Sequence, residues 1–370
     1  MSKKKLHKLE ALRGIAAFYV VLHHTYDVFL KTSSPYAFLF EFGQEAVILF
    51  FILSGFVIEY SFSQSKDKTF KTYFFKRFNR IYIPIIIIFI VNYLLFYWQG
   101  MIHNFDFSNL AGNLLMAQDL PYKPNIICLP FLDNSPLWSL SYEWWFYMFF
   151  FLLYIFFKER TSNAIYILGI LATISYLFYP FWGNRIFMYM IVWNIGADLA
   201  RVYIKHQTFK LTLLYKQIAI LTICTAILVI NFVLNKDTVH AAINFTSTQT
   251  IGRGVSPFLE LRHFLFSLIA VIAGIVWYRL KWFGFSYTIG LFEVLAPVSY
   301  CMYVSHWFLV SKATYLSFID NIYIRYALYF IICVAFSYLV ERVLYVRINR
   351  LIVSSLKKQN SPGVVGNSGQ

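Results

Sequence analysis

Charge is scarce in this chain. Only 13% of its 370 residues are Asp, Glu, Lys or Arg, and just 17 of them are acidic. A soluble domain needs a charged exterior, so a composition of 59% hydrophobic residues with mean hydropathy +0.60 excludes that class. Cysteine is also rare. Cys128, Cys224, Cys301 and Cys333 have no metal-type spacing, and all but Cys128 fall in apolar runs, which argues against a disulfide framework. No small-x-small cleavage site follows the basic opening MSKKKLHK, so that opening is read as leading into an uncleaved first span. There is no internal repeat.

What the chain does have is long apolar runs. Ten are long enough to cross a bilayer, at 11–30, 40–60, 80–98, 138–157, 164–181, 186–203, 213–234, 263–279, 289–312 and 324–346. The expected fold is therefore all-α, a polytopic membrane protein of about ten transmembrane helices spanning 1–350. A polar tail at 351–370 is expected to be disordered. The 32 Lys and Arg residues test the topology. With the N-terminus inside, 24 lie on inner segments and 8 on outer ones, which puts both termini in the cytoplasm. That bias accounts for the net charge of +15 without a nucleic-acid partner.

The run LEALRGIAAFYVVLHHTYD, Leu9 to Asp27, carries Arg13, His23, His24 and Asp27 inside an otherwise apolar span. Ionisable groups are costly there and mark functional sites. Arg13 and His24 are 11 residues apart, about three helical turns, so they share one face roughly 16 Å apart. Asp27 lies close enough in sequence to orient either imidazole. Arg77 and Arg80 in FFKRFNRIYIP are one turn apart, read either as positive-inside anchors or as a guanidinium clamp for phosphate. Glu143, in SPLWSLSYEWWFYMFF, is expected at the depth of His24, as a proton-state partner or a structural one. His306 is a second polar group or a satisfied core histidine. Glu341 is taken as structural, and Glu59 and Asp198 have no assignment.

These runs resemble, in order, the motifs of the acyltransferase family 3 membrane proteins. LRGIAAFYVVLHH is similar to the first-helix Arg-x10-His motif, and AVILFFILSGFVI to the second-helix motif. RFNRIYIP resembles the Arg-x-x-Arg element, and SPLWSLSYEWWFY the Trp-Ser-Leu-x-x-Glu element. VSYCMYVSHWFLV resembles the late Ser-Tyr…His segment, and YLVERVLY the closing Glu-Arg signature. Ile48 stands where many members carry an acid, and Pro84 falls one residue later than usual.

The resemblance implies a bacterial inner-membrane enzyme moving an acetyl or similar group from cytoplasmic acetyl-CoA, or another acyl-CoA, to a hydroxyl of a surface or exported glycan. Polysaccharide-biosynthesis proteins would be its partners beside the lipid bilayer. His24 would be catalytic with Arg13 and Glu143, while Arg77 and Arg80 would bind the CoA phosphates. Asp27, His306, Trp138 and Tyr142 are candidate substrate or oxyanion contacts. No metal or permanently bound cofactor is expected. A glycan transporter or flippase, its intramembrane charges lining a path, is the rival reading.

Overall fold

The computed structural model describes residues 7–29, 37–102, 104–236 and 256–359. Regular structure in them is helical, apart from one isolated bridge between Gln118 and Cys128. In chain order the helices are α1 (His7–Phe29), α2 (Gly43–Ser63), α3 (Phe70–Trp98), the short α4 (Phe107–Leu114), α5 (Leu137–Phe157), α6 (Thr161–Phe178) and α7 (Trp182–His206). Then follow α8 (Tyr215–Leu234), α9 (Phe258–Arg279), α10 (Ser299–His306), α11 (Ile322–Tyr338) and α12 (Tyr345–Gln359).

Seven helical stretches among the described residues are long and apolar enough to cross a membrane. One of them, Leu137–Phe178, contains both α5 and α6. The polar residues of α1 and α7 keep those two out of this set. Their 23 and 25 residues nonetheless give about 35 Å of helix each, enough to span. Each of the ten expected spans thus has a helical counterpart, and the protein is an all-α polytopic membrane protein. Two details differ from expectation. Helix α3 starts at Phe70, ten residues before the expected run, with Pro84 inside it. Helix α12 carries on to Gln359, across the boundary drawn at 350.

Thr69 caps α3 by accepting the Thr72 amide, and Asp67 accepts the Thr69 amide at 2.8 Å as well as the Thr72 hydroxyl. Those bonds to its charged form hold the Asp67 carboxyl down at about 2. The Ile289–Ser311 span is irregular. It runs as tight 3₁₀ turns through Pro297, becomes α-helical over Ser299–His306, and widens to a π-turn at Trp307–Ser311. Proline lacks the amide that would continue the ladder. A second π-turn, Leu339–Leu344, links α11 to α12 and carries Glu341. Wide turns of this kind gather at functional sites.

Helices α2 and α7 form the centre of the bundle, with α1, α6 and α9 packed on them. Two glycines make the central contact possible. A Cβ on Gly55 would lie 1.9 Å from the Trp193 carbonyl oxygen, and one on Gly196 would lie 1.9 Å from that of Ile52. Small residues let helices approach when lipid supplies no hydrophobic drive. Charge fixes the same pair, since Arg201 of α7 meets Glu59 of α2 at 2.6 Å and Asp198 at 2.7 Å. Asp198 also accepts from Ser162 and Tyr166 of α6 and Gln217 of α8, each at 2.7 Å. On the other side, Arg262 of α9 holds Glu45 of α2 at 2.6 Å.

Gly196→Val should destabilise the protein by at least about 1–3 kcal/mol, because backbone on both sides must move. Thermal unfolding in detergent measures this, and an unchanged midpoint would contradict the packing. For Asp67 the folded pKa is lowered, so its contribution is fully present above the ordinary value of about 4 and is lost as pH falls toward 2. An infrared titration of the protein against Asp67→Asn should find the carboxyl band appearing well below pH 4. A midpoint near 4 would rule out this cap.

Candidate active site

A cavity of about 140 Å³ brings together Arg13 from α1, Ser54 from α2, Arg77 and Arg80 from α3, and Glu143 and Tyr147 from α5. Tyr300 and Tyr303 of α10 close it. Glu143 Oε1 accepts the Ser54 hydroxyl at 2.6 Å and the Tyr147 hydroxyl, while the Trp193 indole donates to Ser54 at 3.3 Å. Arg80 pairs with Glu341, whose other oxygen accepts the Cys301 amide at 3.1 Å. Arg77 donates to Ser61 at 3.0 Å and lies over the Tyr73 and Tyr147 rings, 5.6 and 5.9 Å from their centroids. Arg13 makes no ion pair among the described residues, and Glu143 and Glu341 are the acids whose charge reaches it. Three guanidiniums therefore face two carboxylates. The surplus suits an anionic group, and planar guanidinium geometry suits phosphate.

Further along the same face of α1, His24 is half-buried in a second cluster. Its ring stacks on His306 at 5.2 Å and 29°, with edge contacts to His23 at 4.8 Å and Trp307 at 5.4 Å. His306 Nδ1 faces the Tyr303 carbonyl at 2.6 Å and the Met302 carbonyl at 3.3 Å. Carbonyls only accept, so the network assigns the proton to Nδ1 and leaves a lone pair on buried Nε2. That Nε2 has no hydrogen-bond partner among the described residues. His23 Nδ1 contacts the Phe40 carbonyl. Tyr303 joins the clusters. It lines the arginine cavity, its ring lies 6.1 Å from that of His306, and its hydroxyl meets Ser139 at 2.8 Å.

Several sequence expectations find other surroundings. Of the two readings of Glu143, as a proton-state partner at the depth of His24 or as a structural partner of a basic group, its surroundings match the second: it lines the arginine cavity, which His24 does not. Equal depth in two spans does not place side chains on facing surfaces. Trp138 and Tyr142 are buried behind Phe51 and do not line the arginine cavity. They sit in a sealed group where Asp119 accepts from Tyr142 at 2.7 Å and Arg185 at 3.0 Å. Lys123 lies 3.5 Å from Asp119 and 4.2 Å from the Trp138 centroid. Burial pushes the Lys123 ammonium below its ordinary value, against the pull of Asp119 and Glu260. The side chain of Asp27 lies outside the described residues. His7, Glu10 and Glu293 form a separate group with ligand-type atoms within 4.8 Å of one another, but they line neither cluster.

Sequence reasoning missed Ser54, whose only signal was one hydroxyl within FILSGF, and the sealed group. The i, i+4 spacing of Asp119 and Lys123 was its visible trace.

The two clusters lie in the interior of a polytopic membrane bundle. The acyltransferase domain model of the acyltransferase 3 family matches residues 6–342, and the chain belongs to that family. No curated protein and no solved structure matched it.

Asp119→Asn leaves Arg185 and Lys123 buried without their carboxylate. It should cost about 3–5 kcal/mol of stability, the usual penalty for breaking a buried pair. Thermal unfolding tests this, and wild-type stability would show that the group is not structural.

Proposed function

We propose that the protein transfers an acetyl or similar acyl group from acyl-CoA to a hydroxyl of a surface or exported glycan, with His24 as the base. The observation that carries this reading is the division of α1. Arg13 lies in a cation-rich cavity with Arg77 and Arg80, while His24 lies about three turns further along the helix beside His306. A donor with phosphates at one end and a thioester at the end of a long arm matches that separation. Its charged end would enter from the side bearing Arg77 and Arg80, the cytoplasmic side by the distribution of Lys and Arg.

In this mechanism His24 accepts the proton of the acceptor hydroxyl as its oxygen attacks the thioester carbonyl. The carbon–sulfur bond then breaks, and the proton passes to the departing CoA thiolate. An acyl-histidine intermediate is the covalent version of the same chemistry. Glu143, bonded to Ser54 and Tyr147, offsets the arginine charge beside the donor. The buried Nε2 of His306 accepts a proton or hydrogen bond near the reacting hydroxyl.

The test is label transfer from acetyl-CoA by the purified, reconstituted protein. His24→Ala should lose about 10²–10⁴-fold in transfer with donor binding retained. Arg77→Ala and Arg80→Ala should each weaken donor binding about tenfold, the loss of one charged hydrogen bond. Near-normal transfer by a stably inserted His24→Ala protein would overturn this mechanism.

A further inference from the structure

A second cavity, of about 330 Å³, opens between α1, α2, α7 and α9. Its volume lies within the range of about 300–1,000 Å³ usual for ligand sites. Leu12, Ile52, Phe56 and Val271 are typical of its wall, and no acidic side chain lines it. It is also unfilled where α9 could fill it, since a Cβ built on Gly274 meets nothing within 4 Å.

One end of the cavity is cationic. Lys8 lines it, with its Nζ 4.6 Å from the Trp282 centroid and 5.8 Å from that of Phe285. Lys8 enters no ion pair among the described residues. An apolar slot with an uncompensated ammonium at its mouth is complementary to an acyl chain carrying an anionic headgroup. Trp282, Tyr278 and Tyr203 around that mouth are the side chains favoured where hydrocarbon gives way to headgroups.

We propose that this cavity binds one acyl chain of an anionic phospholipid, with the phosphate at Lys8. Leu53 lines both this cavity and the arginine cavity, so the bound chain packs against the back of the helix that carries Ser54. The lipid is then an integral part of the wall behind the active site.

The full-length protein is reconstituted in vesicles of equal phosphatidylglycerol and phosphatidylcholine, extracted in mild detergent, and its retained lipid is quantified by mass spectrometry. The wild type should retain about one phospholipid per chain, with phosphatidylglycerol preferred roughly fivefold, as expected for one lysine near an anionic headgroup. Lys8→Gln should remove that preference. Gly274→Leu, whose side chain enters open space, should lose the retained lipid while keeping wild-type thermal stability. Equal retention of the two lipids by the wild type would overturn the proposal. So would undiminished phosphatidylglycerol on Gly274→Leu. The readout is lipid alone, so its failure leaves the acyltransferase reading standing.

Discussion

An ionised side chain inside hydrocarbon has to be answered by another, and in this protein most of the answers come from distant parts of the chain. Arg80 meets Glu341, Arg201 meets Glu59 and Asp198, Arg262 meets Glu45, and Arg185 meets Asp119. The Arg80–Glu341, Arg201–Glu59 and Arg262–Glu45 pairs select which helix lies beside which, because apolar faces alone discriminate weakly when lipid is as apolar as leucine. Breaking one such pair is far more costly than the small net gain from making it, so the pairs act chiefly as registration devices. Asp198 shows this best, since it draws on α6, α7 and α8 at once.

Against that background, the arginine cavity stands out because its charges do not balance. Arg80 is answered by Glu341, and Glu143 is occupied by two hydroxyls. Arg13 and Arg77 face the same space with no carboxylate in direct contact among the described residues. Ionisable groups at membrane depth are costly, and such an excess marks the cavity as the candidate site. The histidine cluster differs in kind: the His24 ring is surrounded by two further imidazoles, His23 and His306, and by the Trp307 indole.

The spans were legible in the sequence because long apolar runs leave little freedom in a bilayer. The expected run 138–157 against α5 at Leu137–Phe157 differs by a single residue at its start. The start of α3 was less visible, since the residues from Phe70 to Asn79 are polar enough to resemble a loop. The shared face of Arg13 and His24 follows from helix periodicity alone. Which neighbours face them does not, because depth along a span fixes height and leaves rotation and partner open. That is why Glu143 lies with the arginines rather than with His24. The polar segment between α4 and α5 sends Asp119 and Lys123 inward under Trp138 and Tyr142. Composition reports that a segment is polar and says nothing of whether its charges are paired and buried.

The most direct test of the central claim is a cryo-electron-microscopy map of the protein with a non-hydrolysable acyl-CoA analogue. The account predicts phosphate density against Arg13, Arg77 and Arg80, with the acyl carbonyl within hydrogen-bond reach of the His24–His306 pair. An analogue bound with its phosphates away from those arginines, or with its carbonyl remote from His24, would contradict it.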